Sequence, residues 1–258
     1  MKQLTALVLA GTRTQGDPLA DYAGVSHKAL IEVGGRTMIE RVVSALAAVP
    51  EVARIVVAIE RPELLTDLPE LQRDVCGKPL TTMSPASGPS ATVAAALASE
   101  GSPLLVTTAD HALLQTSWLN EFLAACPQHA DVCVALGRRD VVQAAAPHTK
   151  RTWLRFADGH FSGCNLFLMS GPAARGAAEL WCELERHRKD PLQLMGRLGW
   201  SVALRYRLGQ LTLAAALGRL GELAGGAQLA IVEMSDGRAA IDVDKAEDLD
   251  LVRELVGR

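Results

Sequence analysis

Short, unbroken apolar runs alternate along this chain with longer stretches in which apolar residues recur every three or four positions. The runs at 5–11 (TALVLAG), 53–59 (ARIVVAI), 103–109 (PLLVTTA) and 131–137 (DVCVALG) show little polar alternation, the pattern of strands covered on both faces. A further short strand is expected at 79–83. Between them, 37–49 (TMIERVVSALAAV), 89–99 and 116–125 carry helical spacing. Thr37 followed by Glu40 forms a capping box, in which hydroxyl and carboxylate satisfy the orphan N–H groups of a first helical turn. Strand and helix in alternation predict an α/β fold with a Rossmann-like, doubly wound, mostly parallel sheet.

The second half changes character. Residues 151–170 read as two strands around a turn containing Asp158-Gly159, an antiparallel excursion from the main sheet. Residues 172–224 read as mainly helical. Strands are then expected at 228–234 (QLAIVEM) and 239–243 (AAIDV), and a closing helix at 245–256. No repeat interrupts the series, so 1–258 is expected to be a single domain with a helical subregion in its second half.

Composition narrows the function classes. The chain has 258 residues, 49% hydrophobic and 21% charged, with a net charge of −3, an ordinary globule with no basic field for nucleic acid. The opening apolar run is too short for a secretory signal, and no apolar stretch suggests a membrane span. Five scattered cysteines without a CxxC pair read as reduced thiols of a cytoplasmic protein, not as metal ligands.

In an open parallel sheet, ligands bind beyond the carboxyl ends of the strands, and three segments fall there. The loop after the first strand begins Ala10-Gly11-Thr12-Arg13 and reaches an apolar pattern again only after Lys28. Gly11 lets the backbone approach a ligand, loop N–H groups suit phosphate, and Arg13 and Lys28 add cations. The glycines form neither GxGxxG nor GxxxxGK[ST], so a dinucleotide turn and a P-loop are both disfavoured. Asp110 ends the strand in TTADHALL, placed either to hold a hard cation such as Mg²⁺ or to cap the next turn. Asp244 is a second candidate ligand, with the alternative of capping the last helix through its spacing to Glu247. Asp242 is the alternative second ligand.

Taken together, "LAGTR…HKALIEVGGRTMIERVV", "VTTADHALL" and "IDVDKAEDL" resemble, in order and spacing, the nucleotidyltransferases of the sugar-phosphate and molybdenum-cofactor type, the MobA-like NTP transferases. The resemblance spans nearly the whole chain. It implies that Ala10, Gly11, Thr12 and Arg13 hold the nucleotide's phosphates, with Arg13 and Lys28 catalytic, and that Asp110 and Asp244 hold Mg²⁺. It also implies that Gly88 and Ser90, with Thr92 as a further candidate, read the base ahead of the helix at 89–99. Gly163 and Asn165 would meet the acceptor. The single domain would then divide into a nucleotide-binding part at about 1–137, an acceptor-side part at about 138–227 and a closing strand and helix at 228–258. Two departures stand out: the glycine signature is shortened to Ala-Gly-Thr-Arg, and the usual Pro-Lys is His27-Lys28.

The expected reaction is attack by the phosphate of a small sugar, polyol or alcohol phosphate on the α-phosphorus of a nucleoside triphosphate, releasing pyrophosphate. The short, hydroxyl-rich form of SPASGPSATVAAAL (84–97) resembles the cytidylyltransferases more than the guanylyltransferases, which implies CTP. The alternatives are a molybdenum-cofactor guanylyltransferase using GTP and, outside the enzymes, a nucleotide-binding regulator without turnover. The basic stretch 186–207 (RHRKDPLQLMGRLGWSVALRYR) is a solvated cationic face, a cover for a phosphorylated acceptor or a contact for an anionic membrane surface.

Overall fold

A computed structural model describes residues 3–12, 16–71, 74–187 and 190–257. The strands are β1 (Leu4–Leu9), β2 (Glu32–Val33), β3 (Arg36–Thr37), β4 (Val52–Ala58), β5 (Asp74–Val75), β6 (Lys78–Met83), β7 (Leu104–Thr108), β8 (Val132–Arg138), β9 (Leu154–Phe156), β10 (Gly159–Met169) and β11 (Leu229–Glu233). The helices are α1 (Pro18–Ala23), α2 (Met38–Ala47), α3 (Glu63–Thr66), α4 (Pro89–Glu100), α5 (Thr116–Ala125), α6 (Arg139–Ala145), α7 (Ala174–Arg186), α8 (Pro191–Leu198), α9 (Trp200–Arg207), α10 (Leu213–Leu223) and α11 (Ala246–Val256).

The main sheet runs β11-β8-β10-β7-β1-β4-β6-β5, with β9 paired to β10. β1 pairs in parallel with both β4 and β7, so the chain winds one way from β1 to β6 and returns on the other side of β1. The continuous apolar run of β1 follows from this position. Ala6 and Val8 enter a core built with α2, α5 and α11, while Leu7 enters a second core under α4 and α7. Alternate side chains of a strand face opposite ways, so a strand covered on both faces is apolar throughout except where a polar group finds a partner, as the Thr5 hydroxyl does in accepting from Arg54 Nε at 3.0 Å. The capping box of α2 is present: Glu40 N–H donates to Thr37 Oγ1 at 3.3 Å, and Thr37 N–H donates to Glu40 Oε2 at 2.9 Å.

Three expectations gain detail or change. The antiparallel excursion is present and its place is now fixed: β10 lies inside the sheet between β7 and β8, antiparallel to both. Residues 239–243 form no strand. Gly237–Ala240 make a 3₁₀ turn capped by Asp236, and Val243 N–H then donates to the Asp110 carbonyl at 3.0 Å. Gly237 permits that turn, because a Cβ there would lie 2.3 Å from the Val141 carbonyl oxygen. The long loop after β1 contains a helix, α1. Asp17 caps it through Leu19 N–H at 2.9 Å, Pro18 opens it, and Gly24 closes it at a φ of 69°.

Candidate functional site

The winding reverses between β1 and β7, and the carboxyl ends of β1, β4, β6 and β7 open into one crevice of about 1220 Å³. Its floor is Ala10 to Thr12 after β1, Glu60 after β4 and Asp110 after β7. α1 forms one wall, through Asp17, Leu19 and Tyr22. The turn at 85–89 and Glu185 of α7 form another, and Asp244 and Lys245 stand at the start of α11.

Lys28 is positioned by its neighbour. Buried His27 caps a 3₁₀ turn at Lys28–Leu30, its Nδ1 accepting from Ala29 N–H at 3.1 Å. The side chain of Lys28 then runs into the crevice and donates to Asp110 Oδ2 at 2.6 Å and to Asp244 Oδ1 at 3.0 Å. Burial by itself pulls this ammonium toward neutrality, but the charges of Asp110 and Asp244 outweigh it and hold its pKa above the ordinary lysine value. Burial likewise lowers the pKa of His27, against an opposing pull from Glu60, so the ring caps its turn as a neutral acceptor.

The two carboxylates converge because the backbone ties them. The Val243–Asp110 bond sets the residue before Asp244 beside the end of β7. Asp244 is not the helix cap. Asp248 takes that role, accepting from Asp244 N–H at 3.2 Å and Lys245 N–H at 3.1 Å, which leaves the Asp244 carboxylate directed at Lys28. Among the described residues Asp110 Oδ1 is buried without a hydrogen-bond partner and Oδ2 accepts from Lys28, so Asp110 does not cap the turn that follows it either. Asp242 faces elsewhere: it pairs with Arg151 and accepts from Asn165 Nδ2 at 2.6 Å.

The other candidates separate. Ala10, Gly11, Thr12 and Gly88 line the crevice with Lys28, Asp110 and Asp244. Arg13 lies outside the described residues. Ser90 is buried at the start of α4, its N–H and hydroxyl both donating to Glu185. The Thr92 hydroxyl accepts from Ala86 N–H at 2.9 Å and donates to the Gly88 carbonyl at 2.8 Å. Both hydroxyls are therefore spent within the protein. Gly163 and Asn165 do not line the crevice; they sit where the β10–β8 register shifts, with Asn165 at a φ of 50°.

Two carboxylates escaped the sequence reading. Glu60 Oε1 accepts from Thr12 N–H at 2.7 Å, inside the phosphate-suited loop, and it follows β4 as Asp110 follows β7. The same carboxyl-end rule finds it. Glu185 meets Ser90 across 95 positions, and no local pattern announces that contact.

A doubly wound sheet whose switch-point crevice brings one ammonium to two carboxylates is the frame of an α/β ligand-binding site. The family model of the MobA-like NTP transferase domain matches residues 6–222. The chain belongs to that family, the nucleotidyltransferases. A hypothetical transferase from Thermus thermophilus superposes with a TM-score of 0.79 at 29% identity, covering 96% of this chain and all of its own. At the level of fold, the chain is similar to 4-diphosphocytidyl-2C-methyl-D-erythritol synthase from Anaerococcus prevotii, with a TM-score of 0.59, 11% identity, and 100% and 99% coverage. A CMP:2-keto-3-deoxy-manno-octonic acid synthetase in complex with CTP gives a TM-score of 0.59, 13% identity, and 99% coverage of both chains. No curated protein matches the chain significantly.

Proposed function

We propose that the crevice catalyses Mg²⁺-dependent transfer of a nucleotidyl group from a nucleoside triphosphate to a small phosphorylated acceptor, a sugar, polyol or alcohol phosphate, with release of pyrophosphate. The observation that carries this reading is Lys28 drawn between Asp110 and Asp244, beside an Asp110 oxygen that is buried and unpartnered. Two carboxylates suit Mg²⁺, which is bound through one or two carboxylates plus substrate phosphates. When bound, Mg²⁺ supplies charge neutralisation for phosphates as negative charge shifts toward pyrophosphate.

The chain's own residues supply the rest. Asp110 and Asp244 are the ligand pair, and Lys28, released from them, contacts the phosphates as a fixed positive charge. Ala10, Gly11 and Thr12 hold the phosphates through backbone N–H groups, Thr12 exchanging Glu60 for the ligand, and Arg13 joins them. Gly88 and Ser90 meet the base at the start of α4, Ser90 after release from Glu185. An acceptor phosphate is already ionised near neutral pH, so the site needs no strong general base, and positioning with charge neutralisation carries the rate.

The nucleotide-binding part is 1–137, the acceptor-side part 138–227, and 228–258 closes the site by bringing Asp244 to Asp110. Gly163 and Asn165 belong to the acceptor-side part. The five cysteines are free thiols, which supports a reducing, cytoplasmic setting. CTP stands first among the triphosphates, on the short turn before α4 and on the cytidylyl chemistry named for two fold relatives.

The test is a pyrophosphate-release screen of four triphosphates against phosphorylated sugars, polyols and amino-alcohols, with Mg²⁺ and with EDTA. The expected result is release with CTP and one acceptor class, abolished by EDTA and restored by Mg²⁺. Release with GTP alone reassigns the base. Release unaffected by EDTA, or no release with any pair despite triphosphate binding, overturns the proposal.

A further inference from the structure

Among the described residues, six of the seven exposed large hydrophobic side chains gather in one region. They are Leu192 of α8, Trp200, Leu204 and Tyr206 of α9, Leu208 just after it, and Leu154 of β9. α9 buries none of its residues. Trp200, Leu204 and Leu208 are four residues apart and therefore share one stripe, with Arg205 and Arg207 flanking it. β9 joins the same face: Tyr206 Oη accepts from Arg155 N–H at 3.2 Å, and its ring meets Phe156 edge-on at 5.6 Å. Leu154 shares that face of β9 with Phe156.

The charge of this face differs from that of the molecule. Residues 191–210 contain three arginines and no acidic residue, in a chain of net charge −3. Arg197 pairs with the neighbouring carboxylate of Glu183 at 2.7 Å and Asp190 caps α8, so the positive charge beside the stripe is that of Arg205 and Arg207. We infer that this α8–α9 face docks on an anionic lipid surface. An apolar stripe containing Trp and Leu and flanked by arginines is the composition of a helix lying in a membrane interface. A second copy fits less well, because a two-fold contact would set this arginine-bearing face against itself. No helix among the described residues is long and apolar enough to cross a membrane, so the contact is peripheral. α8 is tied to the end of α7 by the Arg197–Glu183 pair, and Glu185 of that same turn lines the crevice, so docking holds the crevice beside the lipid.

The experiment is flotation of the full chain with two kinds of vesicle, phosphatidylcholine alone and phosphatidylcholine with about one-third phosphatidylglycerol, at low and high salt. The expected result is binding to the anionic vesicles at least about tenfold stronger than to the neutral ones, weakened by salt. The triple variant Trp200→Ser, Leu204→Ser, Leu208→Ser loses binding about tenfold or more, and because these side chains are exposed it keeps the wild-type melting temperature. Arg205→Gln with Arg207→Gln also weakens binding and flattens its salt dependence. Equal binding to both vesicle types, no binding at any salt, or unchanged binding of both variants overturns the inference. A concentration-dependent dimer that the triple variant abolishes, without lipid binding, assigns the face to a second copy instead.

Discussion

Replacing Asp110 by Ala removes one of the two anions that hold Lys28 while leaving the backbone that aligns Asp244. The Asp110 carbonyl still accepts from Val243 N–H, and Lys28 still has Asp244 at 3.0 Å. The structural loss is one charge-assisted hydrogen bond of 2.6 Å between side chains 17% and 19% exposed. Such a bond contributes about 2 kcal/mol, and the retained partner keeps the loss near that value. For a domain of this size, about 2 kcal/mol lowers the melting temperature by roughly 4–8 °C. The chemical loss is larger. Removing one preorganised electrostatic group from a reacting centre costs about 10²–10³ in kcat, and under the proposed assignment the lost group is also one of the two Mg²⁺ ligands, which sets the expectation at about 10³ or more, roughly 4 kcal/mol. Pyrophosphate release measured with saturating triphosphate, acceptor and Mg²⁺, beside a thermal melt of the same sample, separates the two effects. Turnover within about threefold of wild type in a folded Asp110→Ala variant would refute the metal-ligand reasoning.

Arg151 and Asp242, 10% and 13% exposed, form a pair in which burial raises the Asp242 pKa against the pull of Arg151. Arg151→Met strands a buried carboxylate and should cost about 3–5 kcal/mol in denaturant unfolding, most of it recovered by adding Asp242→Asn; a double variant no more stable than Arg151→Met would contradict this. Because burial depresses the His27 pKa, its contribution to stability is complete above about pH 6.5 and falls as the pH drops below that, where the unfolded chain binds the proton more readily. His27→Asn keeps an acceptor for Ala29 N–H and should make stability less steep against pH between about 6.5 and 5, the remaining slope coming from His111, whose pKa burial pushes down to about 4; an unchanged slope would exclude a contribution from His27. Gly237→Ala sets a Cβ 2.3 Å from the Val141 carbonyl and 2.5 Å from Val142 Cα, so stability should drop by about 2 kcal/mol or more, checked by thermal melting and contradicted by a wild-type melt.

The sheet was legible where burial on both faces forces a sequence to be apolar, as in β1, β4 and β7, and α2 was legible down to its Thr37–Glu40 cap. The segment 239–243 misled because Ala-Ala-Ile is equally apolar in a buried 3₁₀ turn, and the deciding feature is the close approach of Gly237 to α6, a tertiary fact. α1 carried its own signals in Asp17-Pro18 and Gly24, overshadowed by the polar stretch around them. At the site, the carboxyl-end rule located Lys28, Asp110 and Asp244, which the structure brings together. It did not reveal that Glu60 and Glu185 occupy the donors of Thr12 and Ser90, because those contacts are made across 48 and 95 positions. Nor did it reveal that Asn165 is committed to Asp242, a contact that depends on the bulge in β10.

The central claim is that Asp110 and Asp244 exchange Lys28 for a divalent cation when a triphosphate enters the crevice. Electron paramagnetic resonance of Mn²⁺, titrated with and without a non-hydrolysable α,β-methylene triphosphate, tests it on the intact chain. The expected result is weak Mn²⁺ binding to the protein alone, at least about tenfold tighter binding with the triphosphate present, and loss of that gain in Asp110→Ala and in Asp244→Ala. Mn²⁺ binding that ignores the triphosphate, or that survives both substitutions unchanged, would contradict it.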